Sequence, residues 1–100
     1  MGHARIALGI MGDLVGDIRL TAVDARMLYD GNLNRRLITL ADGLDRLRTQ
    51  LVQSPGIDID VDIANAWTYI DVARSIYADL VTELDKKRAR AAAAATGRRR

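Results

Sequence analysis

Residues 33–51 read LNRRLITLADGLDRLRTQL, and Leu33, Leu37, Leu40, Leu44, Leu47 and Leu51 recur in it at alternating steps of four and three. Those steps follow the turn of an α-helix, so the six leucines lie along one stripe that another apolar surface must cover. Pro55 disfavours helical geometry at Ser54 and ends this helix near Gln53. On the other side, Asp30-Gly31-Asn32 reads as punctuation. Gly31 can take the left-handed position that closes a preceding helix, and Asn32 or Asn34 can cap the next one.

Upstream, Leu8, Met11, Val15, Ile18, Ala22, Ala25 and Tyr29 repeat at steps of three and four and predict a first helix over residues 4–30. A linker of two or three residues obliges it to run antiparallel to the second helix, over 32–53, seam against seam. Gly9, Gly12 and Gly16 fall close to one line on the first helix. They read either as weakly helical first turns or as the site of a close helix crossing. A second apolar row, Leu20, Val23 and Met27, lies on another side of this helix, and one partner helix cannot cover both sides. Two neighbours within a three-helix bundle could do so; otherwise the row is a self-association face.

Downstream, residues 57–63 alternate apolar and acidic side chains, a pattern of extended chain with the isoleucines and valine on the bundle and the aspartates in water. Such a run could also pair with a partner's strand. Asp58, Asp60 and Asp62 match the first, third and fifth positions of a calcium loop. Ile63 and Tyr69 then stand where its glycine and glutamate belong, so the acids are better read as complementing a helix N-terminus. Ile63, Ala66, Ile70, Ala73, Tyr77, Leu80 and Leu84, widened by Trp67, Ile76 and Val81, predict a third helix over 61–95. Trp67, Tyr69 and Tyr77 accompany its apolar side and read as core-edge aromatics. Within helices, Asp42 with Arg46, Asp45 with Arg48 or Thr49, and Glu83 with Lys87 have the spacing of ordinary solvated pairs. The expected fold is all-α: an up-down-up three-helix bundle, made of an antiparallel hairpin and a long third helix, with coiled-coil-like heptad seams.

One hundred residues suffice for one domain with its own core. The formal net charge of +2 hides a division. Residues 1–85 carry 8 basic and 13 acidic side chains, whereas residues 86–100 carry 7 basic and none acidic. The chain therefore divides into a helical bundle domain, 1–85, and a basic alanine- and arginine-rich arm, 86–100. Arginine outnumbers lysine, which occurs only at Lys86 and Lys87, the usage of a GC-rich bacterial or phage genome.

Chemistry is sparse. There is no cysteine, which suits a cytoplasmic address and removes thiolate nucleophiles and metal ligands. The single histidine, His3, sits at a terminus, Ser54 and Ser75 have no evident base, and no ExxH pair accompanies the acidic neighbours Asp13 and Asp17 or Asp79 and Glu83. Asp13 and Asp17 interrupt the apolar start as no signal peptide would, no run of about 20 apolar residues occurs, and Ile6 breaks a myristoylation motif. Gly9 to Asp17 fits neither phosphate-binding glycine pattern. The sequence thus predicts no catalysis, cofactor, metal or membrane contact.

What remains is an interaction or assembly protein. It is expected to be a homo-oligomer through Leu20, Val23 and Met27, and to hold DNA or RNA nonspecifically through Lys86, Lys87, Arg88, Arg90, Arg98, Arg99 and Arg100. No aromatic or amide side chain stands among these seven to read base edges, so contact would be to phosphates. Seven charges engaged together would give a log–log salt slope of about −6 on duplex DNA. The alternative is a regulator or phage or bacterial assembly subunit whose tail meets an acidic protein partner or serves solubility alone.

Overall fold

The computed structural model describes residues 2–53 and 59–97. They form three helices, α1 (Gly2–Met27), α2 (Gly31–Gln53) and α3 (Ile59–Gly97), and no strand occurs among the described residues. The extended reading of residues 57–63 is corrected from Ile59 onward, where the chain is already helical; residues 57 and 58 lie outside the described residues. Period-two alternation is a local signal. Here it gives way to an alanine-rich helical continuation.

The three helices share one core. Its six largest fully buried side chains are Met11 and Ile18 from α1, Leu37 from α2, and Ile70, Leu80 and Leu84 from α3. Ala7, Leu14, Val15, Ala22 and Ala25 complete the inner side of α1, and Ala66 and Ala73 that of α3. Contact between α1 and α2 is the most extensive of the three pairs. Of the six leucines on α2, Leu33, Leu37 and Leu44 are buried together with Ala41, whereas Leu40, Leu47 and Leu51 are only partly covered. These last three lie toward the flank of α2 that carries Arg36, whose guanidinium meets Glu83 of α3 at 2.8 Å.

The connection between α1 and α2 differs in detail from its expected form. Tyr29, not Gly31, takes the left-handed conformation, with φ of 58°. The Tyr29 amide donates to the Arg26 carbonyl at 2.9 Å and the Asp30 amide to the Ala25 carbonyl at 3.1 Å, which is a Schellman closure. Tyr29 therefore lies past the end of α1 and is 96% exposed, so it is no member of the seam. Holding a residue with a Cβ there costs about 1–2 kcal/mol. Nor do Asn32 or Asn34 cap α2. The Asp30 carboxylate accepts from the Leu33 amide at 2.9 Å, while the Asn34 side chain reaches across to the Ala22 carbonyl at 2.7 Å.

Glycine at position 12 has a packing reason. A Cβ there would come 3.3 Å from Arg48 Nε, which crosses α1 to donate to the Leu8 carbonyl at 3.0 Å. Gly9 and Gly16 face open space, so the close crossing is confined to Gly12. The expected charge pairs within α2 are replaced by pairs between helices, because Arg19 of α1 lies 3.4 Å from both Asp42 and Asp45, whereas Thr49 does meet Asp45, donating to its carbonyl at 3.0 Å. Glu83 likewise pairs with Arg36 and not with Lys87.

Leu44→Ala should lower unfolding free energy in denaturant titration by about 2–5 kcal/mol, the cost of emptying a packed leucine site. Leu40→Ala, at a half-buried position, should cost clearly less. Equal losses would mean that the two sites are buried alike.

Candidate functional site

At the α1–α2 turn, ion pairs add to the core contact of α3 with the other two helices. Asp30 caps α2 and lies 3.4 Å from Lys87 Nζ. Arg88 reaches Asp24 of α1 at 2.8 Å and Asp85 of its own helix at 3.4 Å. The last core side chain of α3 is Leu84, so the helix continues beyond the core through Ala91–Ala95, all of them exposed. Residue 85 is an interior residue of this continuous helix. Between the turn and α3 lies an open groove of about 460 Å³, lined by Leu28, Asp30, Glu83, Lys86, Lys87, Arg90 and Ala91.

Of the seven basic residues read as a nucleic-acid arm, Lys86, Lys87, Arg88 and Arg90 stand on α3. Arg98, Arg99 and Arg100 lie outside the described residues. At 100° per residue the four diverge around the helix. Two turn toward acids of the body, Lys87 to Asp30 and Arg88 to Asp24, while Lys86 and Arg90 make no ion pair among the described residues. The groove sets these two beside Glu83 and Asp30, a mixed electrostatic surface. Lys87 and Arg88 also link the α1–α2 turn to α3, a role that the charge run alone did not signal.

On α1, Leu20, Val23 and Met27 are 69%, 55% and 73% exposed. Neither α2 nor α3 covers them. Ile38 of α2 is a further exposed apolar side chain, at 41%, and falls between Asn34, which touches Ala22, and Asp42, which touches Arg19. Nothing in the leucine seam pointed to Ile38, because its neighbours are set by the crossing of α1 and α2. The aromatics stay with the core: Trp67, Tyr69 and Tyr77 are half-buried against it, and the Tyr77 hydroxyl shares a 2.6 Å hydrogen bond with that of Thr21.

Among the described residues no three histidine, cysteine or acidic side chains converge to hold a metal ion. The side chains of His3, Asp58, Asp60 and Asp62 lie outside them. No helix among the described residues is long and apolar enough to cross a membrane. No protein-family model, curated protein or solved structure matches the chain.

Asp30 gives this region a pH dependence. The Leu33 amide, followed by the hydrogen bond and charge of Lys87, holds its carboxyl below the ordinary value of 3.8. A depressed folded-state value stabilises the fold above the ordinary value and loses that contribution as pH falls through the folded one. Chemical denaturation should therefore show wild type losing more stability than Asp30→Asn between about pH 5 and 3. Asparagine keeps a capping oxygen without titrating, whereas Asp30→Ala should cost about 0.5–2 kcal/mol even at neutral pH. Superimposable pH profiles for wild type and Asp30→Asn would deny Asp30 this role.

Proposed function

We propose that the chain is a small, non-enzymatic helical assembly protein that self-associates through the outer side of α1 and holds nucleic acid nonspecifically with a basic C-terminal arm. The observation that carries this reading is the exposure of Leu20, Val23 and Met27 opposite a fully buried inner side of the same helix. A soluble protein that leaves a contiguous apolar row in water commonly uses it for contact.

The arrangement behind it is an up-down-up bundle, a folded body over residues 1–85 with the arm beyond. Arg48 meeting Leu8 and Asn34 meeting Ala22 support opposite directions for α1 and α2. Thr21 meeting Tyr77 and Asp24 meeting Arg88 support a common direction for α1 and α3. The three apolar stripes then act as heptad seams around one axis. At 1.5 Å per residue α3 is about 58 Å long against about 39 Å for α1, so its basic end projects past the turn.

A projecting helix that carries cations and no base-reading side chain suits phosphate contact, positioning without specifying. With Lys87 and Arg88 paired to Asp30 and Asp24, the reading assigns binding to Lys86 and Arg90, which make no ion pair among the described residues, together with Arg98, Arg99 and Arg100 of the same charge run. The same two ion pairs favour a second reading. There the basic segment serves acidic protein surfaces, its own included, and the chain is a regulator or a phage or bacterial assembly subunit with a protein partner.

Fluorescence anisotropy with arbitrary duplex DNA and RNA separates the two. Wild type should bind at low salt with a log–log salt slope of about −4.5 on duplex DNA when five charges engage, and alanine at all five positions should abolish binding. Equal affinity of the two proteins, or no binding at low salt, would leave the protein-partner reading standing.

A further inference from the structure

The outer side of α1 carries a heptad pattern of its own. Counted in sevens, Ile6, Asp13, Leu20 and Met27 share one position, and Gly9, Gly16 and Val23 share the position three residues on. That is the a and d spacing of a coiled-coil seam. It faces away from the core. Ile6, at 55%, joins Leu20, Val23 and Met27 in exposure, and a Cβ at Gly9 or Gly16 would meet no atom within 4 Å. The flanks are sorted by charge: Arg5, Arg19 and Arg26 line one edge of the seam, Asp17 and Asp24 the other, and all five are exposed.

We infer that this seam pairs with the same seam of a second copy in a parallel, two-fold arrangement that brings the two C-terminal arms to one end of the dimer. The inference rests on the self-association reading and adds an orientation to it. In a parallel pair the arginine edge of one helix lies along the aspartate edge of the other, and each g position meets the e position five residues on. Arg19 and Asp24 have that spacing, so symmetry supplies the attraction twice. An antiparallel pair sets like edges together, Arg19 against Arg26 and Asp17 against Asp24, with repulsion at every crossing.

Both attractive side chains have partners within the single chain: Arg19 lies 3.4 Å from Asp42 and Asp45, and Asp24 lies 2.8 Å from Arg88. These contacts are about half exposed, the kind of ion pair that exchanges readily for another. The apolar area is modest. Four side chains per copy fall short of the roughly 800 Å² per partner of a standard interface and match the small contact of a transient pair. Asp13, the charged member of the seam, would meet its own copy across the axis and weaken the pair. Because the basic end of α3 extends beyond the α1–α2 turn, parallel pairing puts two arms side by side, and one duplex engaging both gains effective concentration.

The chain contains no cysteine, so Met27→Cys introduces a single thiol at the end of the seam. In a parallel pair the two Cα atoms at position 27 come within the roughly 7 Å that a disulfide spans, and mild oxidation should link most of the protein as dimers. In the antiparallel pair, which sets Leu20 against Val23, they stand about 16 Å apart along the axis and stay unlinked. Adding Leu20→Glu, a change at an exposed position that should leave the circular dichroism unaltered, should abolish the link and so exclude random collision. Asp13→Leu should tighten the dimer at least several-fold by analytical ultracentrifugation. A Met27→Cys variant that sediments as a dimer yet resists linkage would overturn the parallel arrangement. A wild type that stays monomeric at about 100 μM would overturn self-association itself.

Discussion

Met11, Ile18, Leu37, Ile70, Leu80 and Leu84, fully buried and drawn from all three helices, form the contact on which the rest of the molecule depends. Burying each such side chain stabilises the fold by about 1.5–3 kcal/mol, and isolated helices of this kind are marginal in water. None of the three can therefore be regarded as a unit that folds first and docks later with its structure intact. Contact is most extensive between α1 and α2, while α3 contributes Ile70, Leu80 and Leu84, half of these six side chains. Its attachment is supplemented at the edges, by Arg36 with Glu83, Lys87 with Asp30, Arg88 with Asp24, and Tyr77 with Thr21.

The core is purely apolar among the described residues, so polar chemistry is displaced to the rim, where it fixes geometry. Asp30 does this twice, ending the α1–α2 connection as a cap and receiving Lys87 from α3. Arg48 does it once, across Gly12, where a missing Cβ leaves the Leu8 carbonyl open to a second donor. Exposed pairs of this kind add little stability singly. Their value lies in register, because each joins positions that one sliding helix would separate.

Much of this was legible in the residues, and what was not has definite causes. Leucine spacing and the Asp30-Gly31-Asn32 break located the first two helices to within a few residues, since helical period and turn chemistry are properties of short segments. Which residue closes α1 was not legible. Gly31 is the better left-handed residue, yet helix α2 begins on it, and the strain falls on Tyr29 once Asp30 is engaged as the cap. The alternation before Asp62 misled for a similar reason, its local period being outweighed by the helix that follows. Charge partners were misassigned within helices because Asp42, Asp45 and Glu83 find arginines on neighbouring helices, which only packing decides. For the proposed surfaces, the apolar row on α1 could be read in advance, whereas the inward engagement of Lys87 and Arg88 required the position of α3.

A chain with one shared core and a helix that outruns it should open in two distinct ways. Native-state hydrogen exchange measures this directly. Amides across 11–25, 35–44 and 70–84 should exchange only through one common global opening, with free energies that fall together in denaturant, while amides of 89–95 should exchange orders of magnitude faster. Equal protection of 89–95, or α3 opening separately from α1 and α2 by a large margin, would contradict a single core built jointly by the three helices.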